Sequence, residues 1–249
     1  DQMKQNEMKY FYILLFALMI SCKPSTLKLT AQQIVDKSIL ASGTDKVANS
    51  IISFTFRDKK YNAIRDNGKF ELSRSFDSIR DVLNNDGFTR FIHHKMIEVE
   101  DSTASNYVNS VNSVHYFSVL PFGLNDRAVR KSLLPSATIK EKEYYKVKVT
   151  FSENGGGEDF EDVFVYWMSK TDFLIDYLAY SYHTNGGGKR FRVLKEQCSK
   201  NGIRFVDYHN YKPKNTETEL INLDKDFEKN QLEKVSEIVL EDIKVELLD

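Results

Sequence analysis

The sequence is short of cysteine, proline and net charge, and each shortage excludes a class of protein. Two cysteines in 249 residues are too few for a disulfide framework or for a metal site built from paired cysteines. Four prolines and 11 glycines exclude collagen-like and low-complexity chains. The 35 basic and 36 acidic residues nearly cancel, whereas nucleic-acid binding usually requires a basic excess. We therefore expect a globular protein without a nucleic-acid partner.

Signatures of known catalytic sites are also missing. The sequence has no Gly-X-Ser-X-Gly elbow and no His-Glu-X-X-His metal motif, and only five histidines. His93 and His94 are adjacent on a predicted strand and would point to opposite faces, while His183 and His209 fall on strands too far apart to share a zinc ion. His115 lies on the apolar side of a predicted helix and is expected to be buried. No catalytic residue, metal ion or cofactor is predicted, and a hydrolase is the least favoured function.

The amino-terminal stretch predicts export from the cytoplasm. Lys9 precedes an unbroken apolar run over residues 10–20, and Ser21 and Cys22 follow it. The run is shorter than the ~20 residues that cross a bilayer, so it favours a signal peptide over residues 1–21. The sequence Met19-Ile20-Ser21-Cys22 resembles a bacterial lipoprotein processing box. This resemblance implies that Cys22 is the lipid attachment site, that residues 22–29 form a tether, and that residues 30–249 form one β-rich domain.

A lipid on Cys22 implies an outer-membrane lipoprotein held at the membrane by its anchor. Residues 23–25 lack the acidic side chains that often follow the anchor in surface-exported relatives, so the periplasmic side is favoured and the cell surface stays open. An ordinary secretory signal is the alternative. Lipidation of Cys22 would leave Cys198 as a lone thiol, which we expect in a turn with its polar neighbours.

The remaining chain predicts many strands and a few helices. Hydrophobic residues make up 41% of the sequence and aromatic residues 12%, which is enough for one core. Thr30 and Gln33 form a capping-box pair that predicts a helix ending at Gly43, and Asn67-Gly68 predicts a hairpin turn. A strand is predicted over residues 87–99 and an intrinsically weak helix over residues 104–119. The second half predicts a meander of antiparallel strands with apolar residues on both faces.

Apolar residues on both sheet faces favour a sheet that packs on helices and curves around a cavity. In the predicted register one face of the meander carries six residues of a candidate hydrophobic ligand site: Trp167, Leu178, Tyr180, Tyr182, Phe191 and Tyr208. A one-residue slip would move any of them to the other face.

A charged cluster near two glycine triplets supports an alternative. Residues 155–157 and 186–188 would meet at one end of the sheet, where Lys189, Arg190 and Arg192 approach acidic residues. This end could contact an envelope protein, which would make the chain a structural or adaptor lipoprotein. Tight turns with solvated charges are the simpler interpretation.

Four segments carry a family resemblance: PFGLND at 121–126, KEYYKVKVTFSENGGGEDFEDVFVYW at 142–167, DYLAYSYHTNGGGKRFRV at 176–193 and NGIRFVDYHNYKP at 201–213. They resemble an uncharacterised lipoprotein family from Bacteroidota, whose architecture is similar to that of the lipoprotein carriers LolA and LolB. The resemblance implies an α+β fold in which a curved antiparallel sheet forms a half-open β-barrel with a few covering helices. It also implies non-catalytic binding of a lipid or another hydrophobic ligand.

Overall fold

The computed structural model describes residues 28–154, 161–183 and 186–248, and within them the chain forms two seven-stranded antiparallel sheets. The strand order is β14-β1-β2-β3-β4-β5-β6 in the first sheet and β13-β12-β11-β10-β9-β8-β7 in the second. The strands are β1 Ser50–Phe56, β2 Lys59–Asp66, β3 Lys69–Phe76, β4 Ile79–Asn84, β5 Gly87–Ile92, β6 Lys95–Ile97, β7 Val129–Ile139, β8 Lys142–Phe151, β9 Val163–Ser169, β10 Ile175–Tyr182, β11 Gly188–Lys200, β12 Ile203–Pro213, β13 Leu232–Ile238 and β14 Glu241–Leu247. The predicted α+β fold of open antiparallel sheets with few helices is confirmed.

Three α-helices accompany the sheets in the part of the chain that the structure describes: α1 Ala31–Ser42, α2 Asp101–Ser118 and α3 Leu223–Glu228. Helix α1 begins with the predicted capping box, in which the Thr30 hydroxyl accepts from the Gln33 amide and the Gln33 side chain accepts from the Thr30 amide. It ends at Gly43 in the left-handed conformation, as predicted. No helix in the described ranges is long and apolar enough to span a membrane.

The first sheet is a meander joined by tight turns. Asn67-Gly68 connects β2 to β3 with positive φ at both residues, as predicted. The prediction of a single strand over residues 87–99 is wrong. His93 and His94 both adopt positive φ and form the two-residue turn between β5 and β6. Positive φ at both central residues gives a turn whose twist matches that of the two strands of a hairpin. This turn divides the predicted strand into β5 and β6.

The end of the chain joins the two sheets. Strand β13 pairs with β12 at the edge of the second sheet, and β14 then crosses to pair with β1 at the edge of the first. The last two strands of the chain therefore belong to different sheets. Cys198 lies elsewhere than predicted, since it pairs with Phe205 inside the β11–β12 ladder and is exposed. The turn is formed by Asn201 and Gly202.

The second sheet is buried on both faces. One face packs against α1 and the carboxyl-terminal end of α2, through a cluster that includes Ile34, Leu178 and Tyr208. The other face packs beneath α3 and includes Trp167 and Phe191. Helix α2 also contacts the first sheet through Val111. It therefore lies between the two sheets and bounds the open space between them.

Candidate functional site

A cavity of about 750 Å³ lies between α2 and the face of the second sheet that carries Tyr208. This volume falls within the roughly 300–1,000 Å³ range typical of small-molecule sites. Its floor is aromatic and consists of Phe151, Phe164, Tyr180, Tyr182 and Tyr208. The rings of Phe164 and Tyr180 stack with centroids 5.6 Å apart, and Phe117 of α2 lies 5.2 Å from Tyr180. Ring faces are therefore available to an apolar ligand.

The opposite wall is polar and comes from α2. Its polar cavity-lining residues are Asn106, Asn109, Ser110, Asn112, Ser113 and Ser118, and Val114, Tyr116 and Phe117 line the cavity nearer the carboxyl-terminal end of the helix. The helix buries Val111 and His115 against the first sheet, so its polar stripe is left facing the cavity. The asparagine and serine residues that weaken this helix intrinsically thus supply hydrogen-bonding groups opposite an aromatic floor.

Three charged residues also line the cavity: Asp162, Arg190 and Arg192. Asp162 lies 3.3 Å from His183 Nδ1. Arg192 is buried, with its Nη2 donating to the Tyr180 hydroxyl at 3.1 Å and its guanidinium 4.0 Å above the ring of Phe117. Arg190 is half-buried and stacks 5.1 Å from the ring of Tyr182. Positive charge is therefore concentrated on β11.

Three buried phenols at or near the cavity, those of Tyr208, Tyr166 and Tyr116, have pKa values raised by burial. Burial raises the pKa of Tyr208 to about 12 and raises the pKa of Tyr166 well above its ordinary value. The Tyr166 hydroxyl lies 3.0 Å from that of Tyr116, whose pKa is also raised by burial. These groups act as hydrogen-bonding partners at neutral pH and are poorly suited to serve as bases.

The six predicted site residues do not share one face. Tyr180, Tyr182 and Tyr208 line the cavity, and Leu178 is fully buried on the same face without lining it. Trp167 and Phe191 lie on the opposite face, where their rings meet edge to face at 5.3 Å. The expectation that all six share one face is therefore wrong.

The physical reason is an irregularity in β10, together with a second one in β11 that pairs Tyr208 with Leu194 and so separates it from the face of Phe191. Ile175 pairs with Met168, but Tyr177 pairs with Trp167, so Asp176 is an extra residue opposite β9. An inserted residue of this kind inverts the face on which all following side chains lie. Trp167 and Phe191 lie on the same face, as predicted. Leu178, Tyr180 and Tyr182 lie on the face opposite to the predicted one.

A smaller cavity of about 360 Å³ lies on the other side of α2 and is lined by Arg65, Phe122 and Asp126. Burial lowers the pKa of Arg65 to about 10, so it remains charged at neutral pH. Burial also raises the pKa of Asp126. Tyr116 and Asn112 line both cavities, so α2 is the common wall between them.

The charge cluster that motivated the adaptor alternative is not an exposed patch. Arg192 is buried, and the Lys189 ammonium donates to the carbonyls of Thr216 and Thr218. Residues 155–160, which include the first glycine triplet, lie outside the described residues, and so does Cys22. Among the described residues no group of three His, Cys, Asp or Glu side chains could hold a metal ion.

Comparison with known protein families gives a match over residues 8–241 to DUF6503, a family of unknown function. The chain belongs to the DUF6503 family. The predicted membership of an uncharacterised family is thereby confirmed, and the Bacteroidota origin stays a prediction. No protein with a curated function matches the chain.

This DUF6503 member is similar in chain path to several solved structures at low sequence identity. A LolA superfamily protein from Nitrosomonas europaea is 11% identical in sequence with a TM-score of 0.44. The superposition covers 89% of this chain and 94% of the Nitrosomonas protein. A DUF1329 family protein from Desulfovibrio piger is 7% identical with a TM-score of 0.47, and the superposition covers 87% of this chain and 93% of the Desulfovibrio protein. An outer-membrane lipoprotein-sorting protein domain from Vibrio parahaemolyticus is 6% identical with a TM-score of 0.47. The superposition covers 87% of this chain and 93% of the Vibrio domain.

Proposed function

We propose that this DUF6503 protein is a lipid-anchored outer-membrane lipoprotein that faces the periplasm and binds an amphipathic ligand without catalysing its conversion. The observation that carries the proposal is the cavity of about 750 Å³ between α2 and the second sheet. A cavity of this size with an aromatic floor is suited to an acyl chain or a similarly elongated apolar group, because burying apolar surface drives such binding.

The polar wall narrows the ligand class. Asn106, Ser110 and Ser113 face the same space as Phe164 and Tyr180. A pure hydrocarbon would remove water from these amide and hydroxyl groups without replacing their hydrogen bonds, which is unfavourable. A ligand with an apolar chain and a polar head meets both sides of the cavity.

The anchor is the second part of the proposal, and it rests on the sequence of residues 19–22. The first described residues lead directly into α1, and Leu29 packs against the core cluster beneath that helix. A lipid on Cys22 would therefore be separated from the folded domain by only a short tether. A Cys22→Ser full chain removes the acceptor thiol and gives a detergent-free protein for binding measurements.

We expect the wild-type chain to incorporate labelled palmitate in a bacterial host that processes lipoproteins, and Cys22→Ser to incorporate none. The Cys22→Ser protein should bind the neutral fluorescent probe N-phenyl-1-naphthylamine. Adding Ser113→Trp, which places an indole in the cavity, should weaken probe binding at least about tenfold, which corresponds to about 1.4 kcal/mol. Ser102→Trp on the same helix is the matched control, because Ser102 does not line the cavity.

Equal probe binding by the Ser113→Trp and Ser102→Trp proteins would contradict ligand binding in this cavity. Failure of the wild-type chain to incorporate palmitate, or incorporation into Cys22→Ser, would contradict the anchor independently of the cavity. Circular dichroism of both tryptophan variants establishes that the fold is retained.

A further inference from the structure

Arg192 is a buried cation whose hydrogen-bonding capacity is incompletely used. Its relative exposure is 8%, and its Nε donates to no described acceptor. One donor, Nη2, reaches the Tyr180 hydroxyl. The side chain lines the cavity between the ring of Phe117 at 4.0 Å and that of Tyr180 at 5.2 Å. Two aromatic rings thus hold the guanidinium in place without neutralising it.

Other arginines with little exposed surface, except Arg65 in the smaller cavity, have described carboxylate partners. Arg74 and Arg90 both bind Asp81, and Arg204 lies 3.7 Å from Asp176. No described carboxylate forms an ion pair with Arg192. Asp162, the carboxylate that lines the same cavity, lies beside His183. Because a buried charge is costly without a counter-charge, the cavity holds a site that an anion would complete.

Arg190 adds a second positive charge to this site. It stands two residues from Arg192 on β11, so both side chains lie on the same face of the sheet, and both line the cavity. Its guanidinium stacks on Tyr182 and is less buried than that of Arg192. An anion entering from solvent would therefore meet Arg190 and Arg192 above the aromatic floor.

We infer that Arg192, assisted by Arg190, binds the anionic head group of an amphiphile whose apolar chain lies along the aromatic floor. The inference rests on the proposed function and names the charge of its ligand. A guanidinium offers a planar fork of donors that fits carboxylate and phosphate oxygens, so a long-chain fatty acid is the simplest ligand of this class. An alcohol of the same chain length would fill the floor and leave Arg192 unpaired.

The test compares three competitors that share a hexadecyl-length chain: hexadecanoate, hexadecyl phosphate and hexadecanol. Each displaces N-phenyl-1-naphthylamine from the Cys22→Ser full chain, below its aggregation concentration. An anionic competitor should bind at least about tenfold more tightly than hexadecanol, as expected for a charge-assisted contact in a desolvated site. Preference for the carboxylate or for the phosphate identifies the head group.

In the Arg192→Met protein this preference should fall to within about twofold, with hexadecanol affinity unchanged, because only the head-group contact is removed. Arg192→Lys retains the charge without the fork and should keep part of the preference. Arg65→Met is the matched control, since Arg65 is also buried, has an unpartnered Nη1 and lines the other cavity. It should keep the full preference.

Equal binding of the acid and the alcohol by the Cys22→Ser protein would overturn the inference and leave the proposed function intact. So would a preference that survives in a folded Arg192→Met protein. If the Arg192→Met protein does not fold, the other two variants decide. A full preference for the anionic competitors in Arg192→Lys, together with loss of that preference in Arg65→Met, would also overturn the inference. Failure of every competitor and of the probe to bind would contradict the proposed function itself.

Discussion

A buried charge network in the first sheet shows how much depends on single residues. Arg74, Asp81 and Arg90 stand opposite one another on β3, β4 and β5. Asp81 has no exposed surface and accepts from both arginines, at 3.2 Å from Arg74 Nε and 2.6 Å from Arg90 Nε. Tyr107 of α2 covers Arg90 with its ring centroid 3.4 Å from the guanidinium. The network therefore joins three strands beneath the helix.

Asp81→Ala is expected to lower the free energy of unfolding by about 3–5 kcal/mol, because it leaves two buried guanidinium groups without a counter-charge. Glu71→Ala removes one partner of the exposed Arg80–Glu71 pair and should cost less than about 1 kcal/mol. Urea denaturation followed by circular dichroism measures both values. Comparable losses in the two variants would contradict this account of the network.

Among the secondary-structure elements, α1 depends on how closely its end approaches a distant turn. Gly43 ends the helix with a φ of +67°, and a Cβ atom there would overlap the carbonyl oxygen of Gly202. Gly68, in the β2–β3 turn, has a φ of +81° and open space around it. Both positions require the left-handed backbone, but only Gly43 also requires the absence of a side chain.

Gly43→Ala should therefore destabilise the protein more than Gly68→Ala. Both substitutions place a Cβ in the left-handed region at a cost of about 1–2 kcal/mol. Gly43→Ala must also separate two backbone segments, and we expect overpacking of this kind to add about 1–3 kcal/mol. Thermal and urea unfolding of the two variants compare these costs, and equal destabilisation would show that the contact with Gly202 contributes nothing.

At the scale of the whole molecule, α2 is attached to both sheets. Its His115 is buried against the first sheet, with Nε2 donating to the Ser73 carbonyl at 3.0 Å. The rings of Phe54 and Tyr61 pack against it edge to face. Burial, together with the positive charge of Arg65, lowers the pKa of His115 to about 4, although the hydrogen bond to Ser73 acts in the opposite direction. His115 is therefore neutral in the folded protein at neutral pH.

This neutral histidine should make global stability fall as the medium is acidified. The unfolded chain binds a proton on His115 below about pH 6.5, whereas the folded chain does so only near pH 4, so stability is complete above about pH 6.5 and declines between these values. The loss contributed by this residue is about 3 kcal/mol in total. His115→Gln retains a donor for Ser73 without titrating.

Unfolding free energies of the wild-type and His115→Gln proteins, measured from pH 7.5 to 4, check this expectation. The difference between the two curves should be constant above about pH 6.5 and change by up to about 3 kcal/mol below it. Parallel curves over the whole range would contradict the assignment to His115.

Local features were predictable because neighbours in the sequence produce them. The capping box at Thr30, the helix end at Gly43 and the turn at Asn67-Gly68 each depend on residues only a few positions apart. The burial of His115 followed from helical spacing. The turn at His93-His94 was missed, since neither residue is a usual turn former and the flanking pattern favours a strand.

The sequence by itself determined the caps, the antiparallel meander and the alternation within each strand, because each is encoded within a short stretch of chain. Only the tertiary structure decided which residues line the cavity. Asp176 is an extra residue in β10 that inverts the faces of Leu178, Tyr180 and Tyr182, and such an insertion leaves no mark in the alternation. The polar wall of α2 and strands β9–β12 are also far apart in the sequence. The position of Arg192 in the cavity therefore depends on how the helix packs on the sheet.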